Sequence, residues 1–156
     1  MRKQKGFSLI ELLIVVAIIL IIAAIAIPNL MRSRMAANEA SAVGSIRTIN
    51  TAEVTYASTY PDQGFTDLAS LGGAGGTAAG AGLIDTVLAG GSKSGYTFAA
   101  TPGGATAAGV NTTYTTTGVP VTVGSTGQRG FFSDQSGVIR YTSDGSTPDN
   151  TSSPLQ

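Results

Sequence analysis

The side chains that most often carry catalysis are missing from this chain. It has no histidine and no cysteine among its 156 residues, which removes the usual general base and the two commonest zinc ligands. Carboxylates remain, and one of them is oddly placed. Glu11 stands in MRKQKGFSLIELLIVVAIILIIAAIAIPN, directly before the unbroken apolar run Leu12–Ile27. Surrounded by apolar helices, a carboxylate costs several kcal/mol unless a cation meets it. The chemistry this spacing offers is therefore ion pairing. Hydrolysis of the Gly6–Phe7 bond would expose an α-amine on Phe7, one helical turn from Glu11. That amine can also face the Glu11 of a neighbouring copy. In a growing array the second pairing marks register between otherwise featureless apolar rods, much as a polar residue sets alignment in a coiled coil.

The element that positions these groups is a helix. Counted from Phe7, the apolar segment is roughly 30 Å long, about one hydrocarbon thickness. It admits three readings. A secretory signal peptide would end at the small-x-small stretch Ala24-Ile25-Ala26. A plain anchor would be retained with the basic residues Arg2, Lys3 and Lys5 inside. An assembly helix would enter a membrane and later leave it to pack against copies of itself. Glu11 separates them, since a signal peptide gains nothing from it and an anchor is weakened by it. Arg32 and Arg34 follow the span, and in an array they have Glu39 of a neighbour as a partner, with solvated surface charge the alternative.

Pro28 removes a backbone donor and is expected to kink or loosen the helix near residues 24–28, the other reading being a helix end. The sequence beyond it stays helix-compatible up to Pro61. Met31, Met35, Ala42, Ile46, Ile49, Tyr56 and Tyr60 recur at helical spacing and predict an amphipathic second half, with Glu53 on or beside the stripe. Together the halves predict a rod of about 80 Å. After Pro61, TDLASL and LIDTVLAGG read as short helices, the first with Thr66 as its cap. GGAGGTAAGAG reads as loop, too poor in large side chains to form core. Strands are expected at 96–99, 112–117, 130–133 and 138–142, with Asp134–Gly137 as a turn between the last two. Tyr96, Phe98, Phe131 or Phe132, Ile139 and Tyr141 are the core candidates.

Nine basic residues balance nine acidic ones, and no electrostatic footprint for nucleic acid is present. No phosphate-loop sequence accompanies the glycines, so nucleotide binding is not expected. Asp134 and Asp144 lack the density of oxygen ligands a calcium site needs and read as turn residues. Asn111-Thr112-Thr113 and Asn150-Thr151-Ser152 match the N-glycosylation pattern, which is weak evidence here.

The stretch KGFSLIEL, Lys5–Leu12, closely resembles the prepilin cleavage and methylation signal of type IV pilins and the related pseudopilins, and Pro28 matches the proline that follows the apolar run in that family. The resemblance implies that a membrane peptidase and methyltransferase cuts after Gly6 and methylates the new amine of Phe7, and that Glu11 is the assembly carboxylate. It implies an α+β fold of the type IV pilin kind, a long kinked N-terminal helix packed on a four-stranded antiparallel sheet. The chain would then divide into a cytoplasmic leader (1–6), a transmembrane and filament-core half-helix (7–30) and an amphipathic half (31–60). A Gly-rich loop (61–95), a sheet head (96–142) and an irregular tail (143–156) would follow. The two cysteines that often close a C-terminal loop in this family are absent. The implied function is a non-enzymatic subunit of a type IV pilus, supporting adhesion, motility or DNA uptake, with no cofactor and no metal. Its partners would be copies of itself in a helical homopolymer, the processing enzyme, the assembly platform of the bacterial inner membrane and the lipid bilayer. The precursor would sit in that membrane and the product in an extracellular pilus. The alternative is a pseudopilin of a type II secretion system in a periplasmic pseudopilus, which the lack of an Asp-rich calcium loop disfavours.

Overall fold

A computed structural model of the chain describes residues 6–155. Arg2, Lys3 and Lys5 of the expected leader lie outside the described residues. Helix α1 runs from Leu9 to Thr59 and continues through Pro28, so the proline is not a helix end. The helix closes just before Tyr60-Pro61, where a proline disfavours helical geometry in the residue preceding it.

The chain divides into two compact units, residues 1–34 and 35–156. In the first, the large apolar side chains of α1 from Leu9 to Leu30 are exposed. It is long and apolar enough to cross a membrane. It has no amphipathic face because it is apolar on every side, the pattern of a helix that is surrounded by other apolar groups, in a protein core or a membrane.

The second unit has its own core. On α1, Ala42, Ser45, Ile46, Ile49, Ala52, Glu53 and Tyr56 are buried, the helical spacing predicted for the stripe. Met31 of that stripe is exposed. Helices α2 (Leu68–Leu71) and α3 (Thr86–Ala89) follow. Asp67, not Thr66, caps α2: its side chain accepts from the Ser70 N–H, while the Thr66 N–H is committed to Glu53 at 3.0 Å. Asp85 caps α3 in the same way through Leu88 N–H.

The strands are β1 (Ser92–Lys93), β2 (Tyr96–Gly103), β3 (Thr113–Pro120), β4 (Gly130–Asp134), β5 (Arg140–Thr142) and β6 (Ser153–Pro154). They form one antiparallel meander in sequence order. The expected α+β class and antiparallel sheet are present, but the sheet has six strands, not four. The two extra strands are two-residue edge pieces, too short to leave any alternation in the sequence. The tail expected to be irregular supplies one of them. Leu155 N–H donates to Ile139 O at 2.7 Å, and Arg140 donates to Ser152 O at 3.0 Å, so the tail satisfies the outer edge of β5.

Register decides the faces. Tyr96, Phe98 and Ala100 of β2 lie opposite Pro120, Gly118 and Thr116 of β3, and Phe131 and Ser133 of β4 continue that face. These residues point to the helix. Phe132 lies on the opposite face beside Thr117 and Arg140, yet is also buried, so both candidates of the Phe131–Phe132 pair are inside on different sides. Tyr96, Phe98 and Ile139 are buried as expected, and Tyr141 is half-buried against them. Gly118 permits the closest approach of helix to sheet. A Cβ there would lie 2.9 Å from the Phe98 ring and 3.3 Å from Ile46.

The glycine-rich segment contributes to the core more than expected. Leu71 and Ile84 at its ends are buried, and Ala78 and Ala81 pack against the cluster. Ala78 O accepts from the Tyr56 hydroxyl at 2.7 Å. Small side chains let the loop backbone approach the helix, which a count of large residues does not register.

Candidate functional site

Gly6, Phe7 and Ser8 precede the helix in non-helical backbone. The Gly6–Phe7 bond therefore lies outside the helical hydrogen-bond pattern. Gly6 has open space around it, and Phe7 is 86% exposed. Ser8 is the residue immediately before α1, and its N–H donates to Glu11 Oε2 at 2.9 Å. Ser-x-x-Glu at a helix start is half of a reciprocal capping box: the Glu satisfies the N-cap N–H. The carboxylate also lies beside the positive end of the helix dipole.

Sequence reasoning gave Glu11 an assembly role and overlooked this local one, although Ser8-Leu9-Ile10-Glu11 spells it. The two roles are compatible. A carboxylate has two oxygens and several acceptor positions, and Ser8 occupies one. Ser8 and Glu11 are thus brought together, with Phe7 next to Ser8 in the chain, whereas Pro28 lies far along the same helix. No group of three or more His, Cys, Asp or Glu able to hold a metal occurs among the described residues.

A family model described as the prokaryotic N-terminal methylation motif matches residues 1–27. The N-terminus is of the prepilin type. Over 39 residues the chain is 64% identical to the type IV wide pilus major component PilA4 of Thermus thermophilus, a match covering 25% of this chain and 30% of that one. It is 40% identical over 88 residues to a fimbrial protein of Pseudomonas aeruginosa, covering 48% and 57% of the two chains. It is also 41% identical over 69 residues to the type II secretion system core protein G of Vibrio cholerae, covering 41% and 47%. The chain therefore spans between 30% and 57% of the length of these curated relatives. No solved structure matches.

With the prepilin-type N-terminus established, the remaining carboxylates of α1 need separate accounts. Glu39 is not free to meet Arg32 or Arg34 of a neighbour, because its own chain occupies it. Its Oε1 accepts from the Gln128 and Arg129 N–H groups at 2.9 and 3.1 Å, and its Oε2 from Arg129 Nε at 2.8 Å. Burial alone raises the Glu39 pKa, but these hydrogen bonds and the Arg129 charge outweigh it and hold the group below the usual carboxylate range. The Arg129 guanidinium in turn lies over the Phe131 and Tyr141 rings at 5.5 and 5.6 Å, an arrangement that favours a cation. The sequence placed Glu39 and Arg129 some ninety positions apart, so only the fold pairs them. Glu53 is the opposite case: fully buried, with one oxygen satisfied by Thr66 and no cation paired with it among the described residues.

Proposed function

We propose that the chain is a structural subunit of a type IV pilus, processed after Gly6 and polymerised through its N-terminal helices. The observation that carries this reading is a single carboxylate, Glu11, at the head of an exposed apolar helix whose start lies next to an accessible Gly6–Phe7 bond. In this reading residues 1–6 are the cytoplasmic leader and residues 7–30 span the membrane before assembly and form the filament core afterwards. Residues 31–60 are the spine of the head, 61–95 its loop, 96–142 its sheet and 143–156 its tail. The processing enzyme hydrolyses the Gly6–Phe7 peptide bond and methylates the resulting amine of Phe7. Glu11 meets that amine on a neighbouring copy, and Pro28 is the point at which the rod bends or loosens.

The driving force is burial. Each large aliphatic side chain removed fully from water contributes about 1.5–3 kcal/mol, and the segment carries many, all exposed in one chain. Lipid and neighbouring helices are the two environments that meet that demand. The charge pair adds alignment, since apolar rods alone slide past one another at little cost. The inner-membrane assembly platform transfers the helix from the first environment to the second. The role is structural, not catalytic.

Similarity to a type II secretion core protein keeps one second reading, a pseudopilin of the same build. Processing is common to both, so the mature N-terminus tests the shared part. Mass spectrometry is expected to find a chain beginning at a methylated Phe7. A start at Ile27 or an intact Met1 would contradict the proposal. Sheared cell-surface filaments containing the protein favour the pilus; confinement to the periplasm favours the pseudopilus.

A further inference from the structure

The buried face of α1 carries a second carboxylate that neither processing nor polymerisation uses. Glu53 is fully buried. Its Oε2 accepts from the Thr66 N–H at 3.0 Å, but its Oε1 has no partner. Two more buried polar atoms share that condition, Asn50 Oδ1 and Thr116 Oγ1. Asn50 is a helix neighbour of Glu53, and the fold links Asn50 to Thr116 through Ser133. Asn50 precedes Glu53 by three positions on one helix face, a spacing that makes side chains adjacent. Asn50 Nδ2 donates to Ser133 Oγ at 2.8 Å, and Ser133 is the register partner of Thr116 on the helix-facing side of the sheet.

The Thr116 hydroxyl can donate one hydrogen bond here, while two acceptors, Glu53 Oε1 and Asn50 Oδ1, lack a donor. An amide oxygen only accepts, and so does an ionised carboxylate. The charged and titratable surroundings do not help an anion either. From the segment entering α2, Asp67 presents another carboxylate, and from β3 Tyr114 presents a phenol, itself pushed up to about 12 by burial with Glu53 and Asp134 adding to the effect. On α1 itself, Tyr56 directs its hydroxyl elsewhere, to Ala78 O. The ion pairs among the described residues are Lys93–Asp85 and Arg129–Glu39, so no lysine or arginine compensates Glu53. Burial raises its pKa to about 7, with the Thr66 N–H opposing and Asp67 adding.

We propose that Glu53 is a neutral carboxylic acid in the folded head and acts as a proton-dependent latch. Its carbonyl oxygen accepts the Thr66 N–H, and its hydroxyl donates into the Asn50–Thr116 cluster. One proton thereby supplies the missing donor and removes the buried charge. When the proton leaves, a buried anion faces Asp67, and the segment from Gln63 to Asp67 is the part that yields. Between its anchored ends, where Gln63 and Gly64 N–H donate to Tyr60 O and Asp67 accepts from Ser70 and Leu71 N–H, that segment is held by Asn111: Phe65 N–H donates to Asn111 O at 3.0 Å, Asn111 N–H to Gln63 O at 3.0 Å, and Asn111 Nδ2 to Phe65 O at 2.9 Å. The Phe65 ring rests on Tyr114, centroids 4.8 Å apart. The latch is independent of whether the chain polymerises.

The chain contains three glutamates, Glu11, Glu39 and Glu53, so the test is clean. The full chain in detergent micelles, labelled with carbon-13 at the glutamate carboxyls, gives three resonances to titrate. One is expected to titrate near neutral pH and to be missing from Glu53→Gln. Amide exchange at Phe65 and Thr66, corrected for its intrinsic pH dependence, is expected to accelerate several-fold as that resonance titrates. The wild-type titration stands even where Glu53→Gln does not fold, since the Glu53 carboxyl is identified by its coupling to the Thr66 amide proton. Three carboxyls titrating in the ordinary acidic range would overturn the proposal. So would a neutral titration of Glu53 across which Thr66 exchange stays constant.

Discussion

At the scale of single residues, the three glutamates of α1 show how place decides what a carboxylate does. Glu11 is exposed and accepts from Ser8, Glu39 is paired with Arg129, and Glu53 is buried with one oxygen unsatisfied. Only Glu11 lies within an apolar surface that a single chain leaves open. Replacing it by alanine removes the acceptor of the Ser8 N–H, a loss of about 0.5–1.5 kcal/mol for one hydrogen bond, small against the hydrophobic burial of the segment. Membrane insertion and cleavage in Glu11→Ala are therefore expected to stay near normal, while the yield of sheared filaments falls at least several-fold. Quantitative immunoblotting of the sheared and membrane fractions reads both. An undiminished filament yield would remove the register role from Glu11.

At the scale of elements, the loop between β3 and β4 is fastened to α1 through two neighbouring side chains. Glu39 takes the Gln128 and Arg129 N–H groups and the Arg129 guanidinium, and Asn38 donates to Thr126 O at 2.8 Å beside it. Glu39→Gln keeps the size but loses the charge. It is expected to destabilise the head by about 1–3 kcal/mol, the range for a hydrogen bond to a charged group. Because the folded pKa of Glu39 lies below its unfolded value, its contribution is complete above the ordinary carboxylate range and is lost as pH falls through the acidic region. Thermal unfolding midpoints of the two proteins should therefore converge as pH is lowered. A constant difference across that range would contradict the assignment. The same elements show what could be read from residue order. Ala42, Ile46, Ile49 and Tyr56 announce the buried face by spacing alone, and Asp134–Gly137 announces its turn, with Gly137 at φ 73°. Local pattern has no access to partners made by distant chain. Glu39 meets Arg129 only after the sheet forms, β6 exists only because the edge of β5 is there to receive it, and Ala78 enters the core because Tyr56 reaches its carbonyl.

At the scale of the whole molecule, the two units differ in what completes them. Residues 35–156 bury their own core. The helical segment before them exposes its large apolar side chains from Leu9 to Leu30, which in the proposed function lipid or copies of the chain cover. The prepilin-type motif covers residues 1–27 and so overlaps most of that exposed apolar stretch. Sequence made that half of the site legible, because an unbroken apolar run with one acid needs no tertiary context to be noticed. What that acid meets is a property of the assembly. The most direct measurement is a near-atomic reconstruction of sheared filaments by electron microscopy. It is expected to show the Glu11 carboxylate within ion-pair distance of the methylated Phe7 amine of an adjacent subunit, enclosed by the apolar helices. A Glu11 side chain open to water, or helices that do not touch at this level, would contradict the account.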